Sequence, residues 1–102
     1  MSILVYAAHF FTGAFLCNCI PHLVVGLQGQ AFPTPFATPR GVGKSSPLVN
    51  FLWGLFNLVA GSVLVMNHPI ALGINAGTVL MLVGTLCLGT YLAVHFGGNN
   101  LE

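Results

Sequence analysis

Apolar residues are gathered into three long runs along this chain, and both basic residues lie between the first two runs. The runs cover about residues 3–27, 47–66 and 70–96. Each one is long enough for a membrane-spanning helix, which needs about 20 residues to cross the hydrocarbon layer. The pattern therefore predicts an all-α membrane protein, a bundle of three transmembrane spans in a single domain over residues 1–102.

A loop is predicted over residues 28–46, because prolines and glycines cluster there together with the two basic residues, Arg40 and Lys44. Ser46 followed by Pro47 is typical of a helix N-terminus. Loops that carry basic residues favour the cytoplasmic side of a membrane. We therefore expect a multi-pass membrane protein with its first loop in the cytoplasm.

The composition agrees with this class, since 56% of the residues are hydrophobic and 3% are charged. A water-soluble domain carries about 25% charged residues. The net charge of +1 is too small to indicate nucleic-acid binding. Glu102 is the one acidic residue, which excludes catalysis by paired carboxylates. We expect a protein that is not an enzyme and that has no metal and no cofactor.

Small and amide side chains predict where the spans pack. In lipid, helices associate through small residues and through polar groups that bond across the seam. Asn50 and Asn57 alternate with Gly54 and Gly61 at helical spacing, which places all four on one face of the second span. The third span carries small or polar residues on two faces, which predicts a homo-oligomer. The predicted helix-packing glycines are Gly54, Gly61, Gly73, Gly77 and Gly84.

Depth in the membrane predicts a polar cluster beside the basic loop. Two amides and His22 belong near the loop side of the first two spans, and His95 belongs at the same depth in the third. The stretch before Pro47 offers backbone amides, hydroxyls and a cation at a positive helix end, which favours anion binding. The candidate ligand-binding residues are Arg40, Lys44, Ser45, Ser46, Asn18, His22, Asn50 and Asn57.

The predicted function is the binding or passive passage of a small neutral or anionic solute or of a lipid headgroup, with membrane lipid as a partner. Two alternatives stay open. One is a non-catalytic accessory subunit of a larger membrane complex, docked through its asparagine and glycine stripes. The other is a haem or metal redox protein, using His22 with His95 or with Cys19, because imidazole and thiolate suit zinc, copper or iron.

Several short motifs resemble those of a group of small bacterial membrane proteins that have no assigned activity. The motifs are Asn18-Cys19-Ile20-Pro21-His22, Pro35-Phe36-Ala37-Thr38-Pro39, Ser45-Ser46-Pro47, and Trp53-Gly54 between Asn50 and Asn57. Together they cover about residues 9–61. The resemblance implies a location in the bacterial inner membrane and transfers no functional residue.

Overall fold

The computed structural model describes residues 2–100 and is mostly helical. Over these residues the elements are α1 (Ile3–Leu27), β1 (Phe32–Pro33), β2 (Lys44–Ser45), α2 (Pro47–Asn67) and α3 (Ala76–Asn100). Within the described part, three helices are long and apolar enough to cross a membrane. The three candidate spans indicate a membrane protein. Residues 1, 101 and 102 of the predicted domain lie outside the described residues.

The third helix begins at Ala76 rather than near residue 70. Its first turn is capped by Asn75, whose Oδ1 accepts a hydrogen bond from the Thr78 backbone N–H at 2.9 Å. Asparagine is a favoured N-cap because its side chain satisfies a backbone N–H that has no partner in the helix. Gly73 has a φ of 155° and lies in the irregular segment before this cap. The sequence predicted that Gly73 packs in a seam between helices, but Gly73 lies before α3 and outside the seams.

The ends of the loop that joins α1 to α2 are defined by local hydrogen bonds. At the end of α1 the Gln30 backbone N–H donates to the Val25 carbonyl at 3.0 Å, and Gly29 adopts a φ of 72°. This is a glycine-ended helix cap of the Schellman type. At the start of α2 the Ser46 hydroxyl accepts from the Val49 backbone N–H at 3.2 Å. Between these caps, β1 and β2 pair antiparallel and bring the loop back across the end of α1.

Helix α1 lies between the other two helices and packs along both of them, while α2 and α3 make at most marginal contact with each other. The sequence had suggested α3 as the helix needing neighbours on two sides. The structure gives that position to α1. The longest dimension is 42 Å, which is close to the thickness of a bilayer with its headgroups, about 40–45 Å.

Glycines allow the α1–α3 seam to close to backbone contact. A Cβ atom added at Gly84 would collide with the carbonyl of Phe10, and one added at Gly13 would collide with the carbonyl of Met81. A Cβ at Gly77 would lie 3.1 Å from the ring of His9. Small residues on both helices are therefore required at this seam.

The α1–α2 seam is also close. A Cβ added at Gly54 would lie 2.8 Å from Leu23, and one added at Gly61 would lie 2.7 Å from Leu16. Gly26, near the end of α1, faces the backbone nitrogen of Phe51, which a Cβ would approach to 2.6 Å. Glycines from both helices thus set the spacing of α1 and α2.

The described residues bury polar side chains and expose apolar ones. The buried polar side chains are those of His9, Thr12, His22, Thr34, Asn50 and Asn57. The buried apolar side chains are those of Ala8 and Cys19, while large side chains such as Leu48, Phe56 and Leu86 are exposed. This arrangement suits a hydrocarbon solvent, in which polar groups need partners inside the protein.

Candidate binding site

Asn50 is the centre of a buried hydrogen-bond network at the loop end of the helices. Its side chain is fully buried, and its Oδ1 lies 2.8 Å from Nδ1 of His22 on α1. Its Nδ2 lies 3.0 Å from the carbonyl oxygen of Phe32, 3.2 Å from that of Ser45 and 3.1 Å from that of Ser46. One carboxamide therefore joins α1, both strands of the loop and the first turn of α2.

This network determines which nitrogen of His22 carries the proton. Backbone carbonyls can only accept hydrogen bonds, so the Asn50 atom that faces them must be the NH₂ group. The Asn50 oxygen then faces His22, and His22 Nδ1 must donate to it. In the neutral imidazole the other nitrogen, Nε2, holds a lone pair. Nε2 has no hydrogen-bond partner among the described residues.

A second pair of polar side chains, Asn18 and Asn57, bonds in the same way farther from the loop. Asn57 Nδ2 donates to the Trp53 carbonyl at 2.8 Å, so Asn57 Oδ1 is the atom that accepts from Asn18 Nδ2 at 3.0 Å. The Asn18 oxygen is then left as an acceptor without a partner in the described part of the chain. Asn50 and Asn57 of α2 thus bond to polar residues of α1, and both orientations are set by backbone carbonyls.

His95 fastens the end of α3 to the loop. Its Nε2 lies 2.7 Å from the carbonyl oxygen of Gly41, so Nε2 carries the proton and donates. Its ring stacks on Tyr91, with 5.6 Å between the ring centroids and 6° between the planes. Through this contact the basic loop, the end of α1 and the end of α3 meet at the same end of the molecule.

A cavity of about 200 Å³ lies between these groups. Its walls include Asn18 and His22 from α1, Trp53 from α2, Tyr91 and His95 from α3, and Thr34 from the loop. Since a water molecule in the liquid occupies about 30 Å³, the cavity has room for a small organic molecule. It is the place in the described chain where all three helices and the loop contribute polar or aromatic side chains.

Trp53 is the one tryptophan of the chain and forms part of the cavity wall. Its ring lies edge-on to His22 at 6.4 Å and to Phe36 at 5.2 Å, and it stacks on Phe56. Its Nε1 is sealed by surrounding atoms and has no hydrogen-bond partner among residues 2–100. The indole N–H is therefore not available to a molecule in the cavity.

The structure brings together only part of the predicted binding set. Asn18, His22, Asn50 and Asn57 belong to the two connected networks. Arg40 and Lys44 lie exposed on the loop instead.

The hydroxyls predicted to bind an anion already have partners within the chain. Ser45 Oγ lies 2.6 Å from Oγ1 of Thr34, and Ser46 Oγ caps α2. The start of α2 is therefore closed by its own loop, which leaves no pair of hydroxyls directed at an anion.

A metal centre finds little support in the described residues. They contain no group of three or more His, Cys, Asp or Glu side chains placed to hold a metal ion. The Cys19 thiol donates to the Leu16 carbonyl at 3.0 Å, within its own helix. The haem or metal alternative therefore rests on the residue types alone.

The sequence analysis missed several contributors to the cavity, among them Trp53, Tyr91 and Gly41. Trp53 lies between Asn50 and Asn57 on α2, and Tyr91 lies one turn before His95, so helical spacing from the chosen residues was a usable signal. Gly41 acts through its carbonyl oxygen, for which no residue-type signal exists.

Comparison with known protein families, curated proteins and solved structures finds no match to this chain. The site is therefore interpreted from its own geometry.

Proposed function

We propose that this chain is an integral membrane protein that binds a small polar molecule in the cavity between α1, α2, α3 and the loop. The observation that carries the proposal is a pair of acceptors that have no hydrogen-bond partner among the described residues and belong to side chains lining that cavity, His22 Nε2 and Asn18 Oδ1. A polar group without a partner in an apolar setting costs about 1–3 kcal/mol. A ligand that bonds to both atoms recovers this cost.

Helix packing alone explains part of the polar network but not all of it. The bonds between Asn18 and Asn57 and between His22 and Asn50 hold α1 against α2, and such bonds contribute about 0.6–2 kcal/mol each in membranes. Packing does not call for an unpaired acceptor on Asn18 and on His22, nor for a cavity beside these two residues. The interhelical bonds are better understood as the support that positions the cavity wall.

Binding is favoured over passage through the molecule. Beyond the cavity, the α1–α3 seam is closed by Gly13 against Met81 and by Gly84 against Phe10, at backbone contact. The α1–α2 seam is closed by Gly61 against Leu16. A solute entering from the loop side therefore meets a packed end rather than a continuous path.

Trp53 offers a built-in test, because it is the one tryptophan and lies in the cavity wall. The protein in phosphatidylcholine nanodiscs is titrated with ethanolamine, glycerol and acetate while Trp53 emission is recorded. We expect a saturable change with at least one probe. Leu92→Phe, which fills the cavity from α3, should abolish it, and Leu86→Phe on the exposed side of α3 should leave it intact. A response to none of the probes, or an unchanged response in Leu92→Phe, would overturn the proposal.

A second role, as a subunit of a larger assembly, is favoured by the exposure of α3. Gly77 and Gly84 are its buried residues within Ala76–Gly98, and the other residues of this stretch are exposed or half-buried, which leaves much of the helix surface open to lipid or to another helix. Native mass spectrometry of the nanodisc-embedded protein measures this directly. A particle of several copies supports the homo-oligomer, while a lone copy argues against it.

A further inference from the structure

The hydrogen-bond chains that reach the cavity all begin at backbone carbonyls. The Phe32 and Ser45 carbonyls accept from Asn50, which accepts from His22. Because each link consumes one donor and presents one acceptor, a chain that starts on a carbonyl ends on an acceptor. His22 therefore ends its chain with the lone pair of Nε2.

The other two chains end in the same way. The Trp53 carbonyl accepts from Asn57, which accepts from Asn18, leaving the Asn18 oxygen as the terminal atom. The Gly41 carbonyl accepts from His95 Nε2, leaving Nδ1 as the acceptor of that ring. These chains leave over the acceptors His22 Nε2, Asn18 Oδ1 and His95 Nδ1, together with one N–H of the Asn18 NH₂ group, while the indole N–H of Trp53 is sealed.

His22 is the strongest part of this site. Its side chain is 2% exposed, yet its Nε2 has no hydrogen-bond partner among the described residues. The rings of Trp53 and Tyr91 form other parts of the cavity wall. Aromatic faces attract cations, and Trp and Tyr do so most strongly. Lone pairs and aromatic rings together favour a ligand with N–H donors and partial or full positive charge.

We infer that the cavity binds a primary amine group, held through its N–H donors by His22 Nε2 and Asn18 Oδ1. This inference rests on the proposed function and specifies its ligand class. A primary ammonium has three N–H donors, which match the two acceptors His22 Nε2 and Asn18 Oδ1. A carboxylate or phosphate presents only acceptors and cannot bond to either of these two atoms. The anionic ligand that the sequence suggested is therefore disfavoured by the direction of the hydrogen bonds.

The amine has two possible sources, a soluble small amine and the ethanolamine headgroup of a phospholipid. The cavity lies at the loop end of the helices, where headgroups are found when the helices span a bilayer. The exposed cations Arg40 and Lys44 lie on the same loop and suit the phosphate of such a lipid. Their own repulsion of an ammonium is weakened because exposed charges are screened over about 10 Å.

Ethanolamine and choline form the decisive pair of probes, because choline keeps the charge and the hydroxyl but has no N–H. In phosphatidylcholine nanodiscs, we expect ethanolamine to give a saturable change in Trp53 emission and choline to bind roughly tenfold or more weakly, since a site built for N–H donors rejects an analogue that lacks them. Acetate should give no saturable change. Equal binding of choline and ethanolamine, or tighter binding of acetate, would overturn the inference.

The lipid arm of the experiment replaces half of the phosphatidylcholine by phosphatidylethanolamine. If the headgroup is the source, Trp53 emission shifts in these discs and added ethanolamine has no further effect. If a soluble amine is the source, the emission and the ethanolamine titration stay as in phosphatidylcholine alone. Once ethanolamine is found to bind in phosphatidylcholine discs, these two results show whether the amine comes from a lipid headgroup or from solution.

Variants locate the amine within the cavity. His22→Phe and Asn18→Leu each remove one acceptor and should each weaken ethanolamine binding, whereas His68→Phe, at the far end of α2, should leave it unchanged. If His22→Phe fails to fold, the comparison of ethanolamine with choline in the unaltered protein still decides the question. A saturable response to glycerol or acetate without one to ethanolamine refutes the amine and keeps the binding function. No response to any probe refutes both.

Discussion

Replacing Asn50 by leucine removes the side chain that joins α1, the loop and the start of α2. The carboxamide is fully buried and contacts His22 and three backbone carbonyls. Its NH₂ group has two hydrogens, so these contacts amount to about three full hydrogen bonds. At about 0.6–1.5 kcal/mol for each bond, with about 1 kcal/mol more for the stranded His22 N–H, the expected loss is about 3–5 kcal/mol.

Asn67→Leu is the matched control for this substitution. Asn67 lies on the same helix but is exposed, and its carboxamide donates to Val63 of its own helix. We expect its free energy of unfolding to change by no more than about 0.5 kcal/mol. Both variants are unfolded reversibly in mixed micelles by titration with sodium dodecyl sulfate, with helix content followed by circular dichroism. An Asn50→Leu protein as stable as Asn67→Leu would refute the network as a source of stability.

A double-mutant cycle isolates the bond between His22 and Asn50 within that total. If the bond forms, Asn50→Leu costs about 1–2 kcal/mol less in a His22→Leu background than in the unaltered protein. Additive losses would show that the two side chains do not interact, and the assignment of the His22 tautomer would fail with them.

Three further predictions follow from the seams and the loop. Gly84→Ala drives a Cβ into a carbonyl of α1 and is expected to lower the free energy of unfolding by more than about 1 kcal/mol. Gly97→Ala meets open space and is expected to be neutral or slightly stabilising. Equal effects of the two substitutions in the same micelle titration would contradict the close α1–α3 seam. Asn57→Leu should lower the free energy of unfolding by about 1–2 kcal/mol in that titration. Combined with Asn18→Leu, the total loss should be smaller than the sum of the two single losses, and a loss equal to that sum would argue against the bond between Asn18 and Asn57. If the first loop is cytoplasmic, a membrane-impermeant amine reagent should modify Lys44 in lysed but not in intact spheroplasts, as mapped by mass spectrometry. Labelling of Lys44 in intact spheroplasts would show the opposite topology.

The helices could be predicted from the sequence to within a few residues, except at the start of α3. Hydropathy continues without a break from Ile70, so the apolar run was taken as the helix. The cap at Asn75 was a signal in the sequence, since an asparagine there can bond to the backbone three residues later. Hydropathy indicates which residues prefer lipid, while capping residues indicate where a helix begins.

The order of packing could not be predicted in the same way. A membrane helix is apolar on nearly every face, so hydrophobic periodicity does not show which helix lies in the middle. The glycines of α2 and α3 were recognised by their spacing, but Gly13 and Gly26 of α1 were not. Their role depends on the carbonyl and backbone nitrogen that lie opposite in the fold.

Membrane depth predicted part of the polar cluster, while the bonding of each side chain within it could not be predicted from residue types. Two exposed cations and two serines suggested a site for an anion, and the structure shows that the serines bond within the loop and at the start of α2. The polarity of the cavity is decided elsewhere, by whether asparagine and histidine present their donors or their acceptors. That choice is made by backbone carbonyls distant along the chain, such as that of Phe32 facing Asn50. Every residue can supply such a carbonyl, so no pattern of side chains encodes it, and the atoms of Asn18 and His22 that stay unpaired can be identified only by following each hydrogen bond from the backbone to the cavity.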